Sequence, residues 1–301
     1  MDVYLPIANL SVNGLFIVTL GALTGVLSGL FGVGGGFLTT PLLIFYGIPP
    51  TVAAASASTQ VTGASVSGVF AHGKRGGVDY RMGAVLVAGG IVGAGLGSLL
   101  FRFFRAIGQI DVVINALYVV LLGSIGILMA KEGWQTLRGS KTTEAARRRH
   151  HPMVAALPFR YRFYRSGLYI SPLAPLLVGV VVGILTMLMG VGGGFILVPA
   201  MLYILGMSAN VVVGTSLFNI LFVTIATTMM HSLTTRAVDI VLVGLLLLGS
   251  VSGAQIGSQW AVKAKPEYLR LILAAIVLVI AFRMVLGLFY QPDEIYTLAP
   301  L

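Results

Sequence analysis

Cysteine is absent from the 301 residues. That removes disulfide frameworks, thiolate metal sites and cysteine nucleophiles together. Charge is scarce as well: Asp, Glu, Lys and Arg make up 9% of the chain, against about 25% in soluble domains. Apolar residues take the place of charge, at 57% and a mean hydropathy of +0.98. The runs 112–130, 173–189, 238–251 and 269–285 approach the ~20 apolar residues needed to cross ~30 Å of hydrocarbon. The sequence therefore predicts an all-α polytopic membrane protein. The first run begins near Asn13 without a basic leader or a small-residue cleavage site, and it is read as a retained segment, not a signal peptide.

No Asp, Glu, Lys or Arg lies deep within these runs, Arg283 toward one end apart. Pumps and carriers of sodium or divalent metals commonly use buried carboxylates, and this chain supplies none. Hydrolytic signatures such as His-Glu-x-x-His and Gly-x-Ser-x-Gly are missing too. No catalytic residue, metal or cofactor is expected, and the chain is not read as an enzyme.

The net charge of +10 is concentrated, with nine of nineteen basic residues between positions 131 and 165. Arg147, Arg148 and Arg149, then Arg160, Arg162 and Arg165 among Tyr161, Phe163 and Tyr164, resemble an RNA-binding arm. The favoured reading is instead a cytoplasmic loop on anionic lipid, since basic loops are the ordinary topology signal of membrane proteins. Membrane lipid is thus an expected partner, and nucleic acid is not.

What the chain has in abundance is repetition. Gly-Val-Gly-Gly-Gly-Phe occurs at 32–37 and 190–195, each time with a proline four residues on, at Pro41 and Pro199. Identity continues through Gly47, Val52, His72, Val78 and Asp79, which match Gly206, Val211, His231, Val238 and Asp239. One unit of roughly 125 residues is used twice. The domain reading is a first repeat over 1–130, a basic loop over 131–170 and a second repeat over 171–301.

Each repeat has five apolar segments, at 15–31, 37–47, 52–71, 82–101 and 112–130, with counterparts beginning at Leu173, Phe195, Val211, Val238 and Leu269. About ten segments are expected. The second of each set is too short to span, so it is re-entrant, part of a bent hairpin, or half of a broken helix. An odd number of crossings per unit inverts the two halves. With the 131–170 loop cytoplasmic, this places fifteen basic residues inside and four (Arg102, Arg105, Arg236, Arg283) elsewhere.

Inverted repeats with interrupted helices mark secondary transporters, which bind near the midplane where half-helix N-termini aim N–H groups at anions. Gly34, Gly35, Gly36, Gly192, Gly193 and Gly194 are candidate backbone donors, because glycine lets the chain turn sharply and approach a ligand. Close helix packing is the competing role for glycines, and it is assigned to Gly21, Gly25 and Gly29 and to Gly89, Gly93 and Gly97. Gln60 and Asn219 occupy equivalent positions in the third segments, where they would donate N–H groups to an oxyanion in one central cavity. Ser56, Thr59, Thr215 and Ser216 are second candidates, with interhelical hydrogen bonding as their alternative. His72 and His231 end these segments and carry a candidate proton role, or else sit at headgroup level. Asp79 and Asp239 are expected helix caps.

The paired glycine motif followed by proline, with the polar Val213-Gly214-Thr215-Ser216, resembles the sulfite exporter TauE/SafE family, also called the 4-toluene sulfonate uptake permease family. The resemblance spans nearly all of 15–288. It implies a secondary carrier of sulfite, thiosulfate, sulfoacetate or another organosulfonate in a bacterial or archaeal inner membrane. The first copy departs from the second, with Ala55-Ser56-Ala57 where the second has Gly214-Thr215-Ser216. The expected function is alternating-access transport of a small sulfur-containing anion, with proton coupling left open. A passive anion channel and a noncatalytic scaffold recruiting a partner through the basic loop are the alternatives. Association with further copies of the chain stays open.

Overall fold

Proline, aspartate and glycine punctuate this chain where its helices start and stop. The computed structural model describes residues 2–31, 34–74, 77–137, 161–263 and 266–289. Gly32, Arg75, Lys265, the arginines at 147–149 and 160, and the acidic pair at 293–294 lie outside them, as does the side chain of His72.

A hairpin of β1 (Asp2–Leu5) and β2 (Leu10–Asn13) leads into α1 (Gly14–Phe31), α2 (Gly36–Phe45), α3 (Pro50–Lys74), α4 (Tyr80–Ala106) and α5 (Ile110–Leu137). The same order then recurs. A hairpin of β3 (Tyr161–Phe163) and β4 (Leu168–Ile170) precedes α6 (Leu173–Met189), α7 (Gly194–Pro199), α8 (Ala209–Met230), α9 (Ile240–Lys263) and α10 (Pro266–Phe289). π-Helical turns extend α7 over Ala200–Ile204 and α8 over His231–Thr235. The segments after both glycine loops are short, as expected: α2 has 10 residues, about 15 Å of rise.

Local chemistry accounts for the boundaries. Proline opens α3 and α10, where its missing N–H belongs to an orphan position anyway. Asp79 caps α4 through Oδ1, which accepts the N–H groups of Arg81 and Met82 at 3.2 and 3.1 Å. Asp239 does the same for α9 with Val241 and Leu242. Gly190, at φ +72°, stops α6 in the left-handed conformation that glycine adopts without strain.

The two hairpins were not legible in advance, and the segment read as the 131–170 loop has regular structure at both described ends. Residues 131–137 continue α5, and 161–170 form the second hairpin. Asp79 and Asp239 hold these hairpins with their second oxygens. Asp239 Oδ2 accepts the Ile7 N–H at 2.9 Å, and Asp79 Oδ2 accepts the Ser166 N–H at 3.0 Å and the Ser166 hydroxyl. Each repeat therefore caps its own fourth helix and clasps the hairpin of the other. Arg165 is part of this docking, not a free basic head: its guanidinium donates to the Val78 carbonyl at 2.8 Å.

The packing obeys the same exchange. α1 lies against α9 and α4 against α6, while α3 pairs with α8 and α5 with α10. A methyl group built on Gly93 would stand 2.1 Å from the Val180 carbonyl oxygen, and one on Gly253 2.2 Å from that of Ala22. Only glycine permits this backbone approach, which assigns Gly21, Gly25, Gly89, Gly93 and Gly97 to helix packing. Equivalent helices run antiparallel: Gly126 meets Leu278 while Gly133 meets Leu271, and Ser58 meets Thr227 while Gly68 meets Leu217.

The outer surface is apolar. Val120, Leu248, Val279 and Phe282 are each at least 65% exposed, which water would penalise and lipid does not. Among the described residues, five helices are long and apolar enough to span a bilayer, those containing Tyr80–Ala106, Ile110–Gln135, Val211–Thr235, Ile240–Gly257 and Leu271–Leu288. The chain is an all-α polytopic membrane protein with two small β-hairpins.

Candidate functional site

The two glycine loops meet at the centre of the molecule, between the middles of α3 and α8. Val61 of α3 and Ile220 of α8 are the residues a side chain on either Gly34 or Gly192 would touch. Gly34, Gly192 and Gly193 have φ of +76°, +75° and +77°, a region in which L side chains are strained. Gly36 is required for another reason: its Cβ would lie 2.7 Å from the Gly190 carbonyl oxygen. Gly35 and Gly193 precede α2 and α7, whose first-turn amides emerge beside the loops at Gly36 and Gly194. Phe37 and Phe195, which follow the triple glycines, stack face to face at 4.4 Å with an interplanar angle of 6°. Their pairing was missed because the motif shows two aromatics far apart in sequence.

Gln60 and Asn219 flank this meeting point. Both side chains are buried, at 1% and 0% exposure. Gln60 Oε1 and both amide atoms of Asn219 have no hydrogen-bond partner. They do not lie at one level, however. Ser58 meets Thr227 and Gly68 meets Leu217, which puts Gln60 and Asn219 six residues apart along the antiparallel pair, about 9 Å of helical rise. The two amides, expected to face one central cavity, stand one on each side of the glycine loops.

The hydroxyls are already employed. Ser56 Oγ accepts the Asp239 N–H at 3.2 Å and Thr215 Oγ1 accepts the Asp79 N–H at 3.0 Å. These equivalent residues tie α3 and α8 to the capping turns of the opposite repeat. Thr59 donates to the Ala55 carbonyl and lies 3.3 Å from Thr228 Oγ1, and Ser216 donates to the Val213 carbonyl. The structure thus favours interhelical and intrahelical bonding for all four. Ser58 and Thr227 add a cross-helix pair at 3.3 Å.

His231 is fully buried within the protein. Its Nε2 lies 3.0 Å from the Met187 carbonyl oxygen and its Nδ1 3.2 Å from Thr235 Oγ1, with Phe101 edge-on to the ring. The π-helical turn at the end of α8 carries it inward. Among the described residues, no cluster of histidine and carboxylate groups suits a metal ion.

Comparison with known proteins identifies this architecture. The sequence model described as Sulfite exporter TauE/SafE matches residues 17–284. The probable membrane transporter protein YjnA of Bacillus subtilis is 29% identical over 272 residues, covering 89% of this chain and 98% of that one. The probable membrane transporter protein YunE of the same organism is 24% identical, covering 89% and 96%. Sulfite exporter TauE/SafE family protein 3 of Arabidopsis thaliana is 34% identical over a shorter stretch, 36% of this chain and 25% of that one. No solved structure matches. The chain is therefore a membrane transporter belonging to the TauE/SafE sulfite exporter family.

Proposed function

We propose that this transporter is a secondary carrier moving a small sulfur-containing anion, such as sulfite, thiosulfate, sulfoacetate or another organosulfonate, across the cell inner membrane by alternating access. One observation carries this reading: Gln60 Oε1 and both amide atoms of Asn219 are desolvated and unpartnered beside two converging glycine loops. A buried polar group without a partner costs about 1–3 kcal/mol, a cost that a bound ligand relieves. The amide nitrogens donate to an oxyanion, and helix N-termini at Gly36 and Gly194 add partial positive charge. No fixed counter-charge is needed, so an empty carrier can reorient without leaving a buried ion unpaired.

The unpartnered oxygens matter equally. Gln60 Oε1 and Asn219 Oδ1 accept hydrogen bonds, which suits an anion that still carries a proton, such as bisulfite. A proton travelling on the substrate gives coupling to the pH gradient without a membrane carboxylate. The halves are taken as inverted in the membrane, which the antiparallel α5–α10 and α3–α8 pairs support. The basic segment 131–170 is taken as cytoplasmic.

Flux into proteoliposomes containing the purified protein tests this reading, with sulfite, thiosulfate, sulfoacetate and chloride compared with and without an imposed pH gradient. Saturable, gradient-driven uptake of one sulfur anion, with counterflow and with loss in the Q60A/N219A variant, is expected. Uptake without saturation or counterflow would make the protein a channel, and none from folded protein would discard sulfur anions as cargo.

A further inference from the structure

Arginine is rare on the face of the molecule that carries the α4–α5 and α8–α9 turns, yet two of its arginines converge on one cavity of about 600 Å³. Its wall is built from Ile7 in the first hairpin, Thr51 at the start of α3, Arg105 at the end of α4, and Thr234, Thr235 and Arg236 in the turn after α8. The lining has two guanidinium groups and no carboxylate. Two acids are bonded to residues of this wall. Asp239 is held by the N–H groups of Ile7, Val241 and Leu242, and Asp111 is hydrogen-bonded to the Thr51 backbone.

Both arginines are positioned for this role. Arg105 donates one N–H to the Thr235 carbonyl at 2.9 Å, which anchors the fork and leaves its other donors for a ligand. Arg236 has φ +49°, one of two non-glycine residues with positive φ among the described ones. A left-handed conformation is costly for a long side chain where glycine or asparagine adopts it easily, so an arginine in that conformation points to a use for its charge. Thr51 precedes Gln60 by nine residues on α3, which sets the cavity about 13 Å along the helix from the Gln60 amide, the nearer of the two. Thr235, on the cavity wall, lies 3.2 Å from the buried His231 ring.

We infer that this cavity is an anion-capturing vestibule in which Arg105 and Arg236 hold a small oxyanion before it passes to the central site. Guanidinium groups bind oxyanions through paired N–H donors, and a cleft of one sign of charge concentrates ions of the other. The inference rests on the carrier reading for what happens to the anion next, but the capture of an anion here stands apart from transport.

The absence of native cysteine allows a direct test. A single cysteine introduced as Thr234→Cys reports the local field through its reaction rates with methanethiosulfonate reagents bearing an ethylsulfonate or an ethyltrimethylammonium group. The anionic reagent should be favoured roughly tenfold over its ratio with free cysteine, and sulfate or sulfite should slow it saturably. R105Q/R236Q should abolish the preference, and R236Q, which keeps the Arg105 to Thr235 hydrogen bond, should reduce it. R105K/R236K should retain the preference. A rate ratio equal to that of free cysteine, or one unmoved by R236Q, overturns the vestibule. An intact preference in protein that moves no sulfur anion overturns the carrier reading alone.

Discussion

An amide that leaves water and finds no partner raises the free energy of the folded state, and Asn219 does so with both of its polar atoms. Ser56 and Thr215 present the opposite case, since their hydroxyls complete the backbone bonding of Asp239 and Asp79. The two classes look alike in sequence, as polar residues in apolar runs. Only the identity of the neighbours separates an unpartnered group from one tying helices together. Asn219→Leu replaces the unpartnered atoms with methyl groups on the same branched skeleton. It should leave the thermal unfolding midpoint unchanged or raise it, by up to about 1–3 kcal/mol of stability, while sulfite uptake is lost. A midpoint several degrees lower would assign the residue to packing instead.

At the scale of elements, the four-residue spacing of glycines was legible because close helix packing needs small residues on one face. Which helices would meet was not legible. α1 could have packed on its own repeat, but it crosses to α9, and α6 crosses to α4. Gly93→Ala and Gly95→Ala form a matched test. A methyl group at Gly93 meets the Val180 carbonyl at 2.1 Å, whereas one at Gly95 meets nothing within 4 Å. Gly93→Ala should destabilise by about 1–3 kcal/mol through overpacking, and Gly95→Ala should be neutral or gain up to about 1 kcal/mol of helix propensity. Thermal unfolding of both variants in detergent measures the difference, and equal midpoints would remove the backbone contact from the account. The hairpins escaped prediction for a physical reason. Strands of three or four residues have too few alternating positions to show a period, and their stability comes from docking to Asp79 and Asp239.

At the scale of the whole molecule, the exchange of contacts between halves makes the two faces near-copies of one another. Ser11 and Tyr169 occupy equivalent, exposed positions in the two hairpins, so S11C and Y169C report the orientation of each repeat. An impermeant maleimide applied to intact cells should label S11C and should reach Y169C only after permeabilisation. Labelling of both from one side would replace the inverted arrangement with a parallel one. Composition by itself determined that the chain lives in a membrane, because a surface this apolar has no stable form in water. The repeated motif by itself determined ten segments in two sets of five, since a duplicated pattern folds into duplicated elements. The tertiary structure decided which polar groups are spent on the fold and which stand unpartnered, and which distant arginines share a cavity. Those outcomes depend on contacts between residues more than 100 positions apart, such as Arg105 with Thr235 and Ser56 with Asp239, and local periodicity carries no information about them.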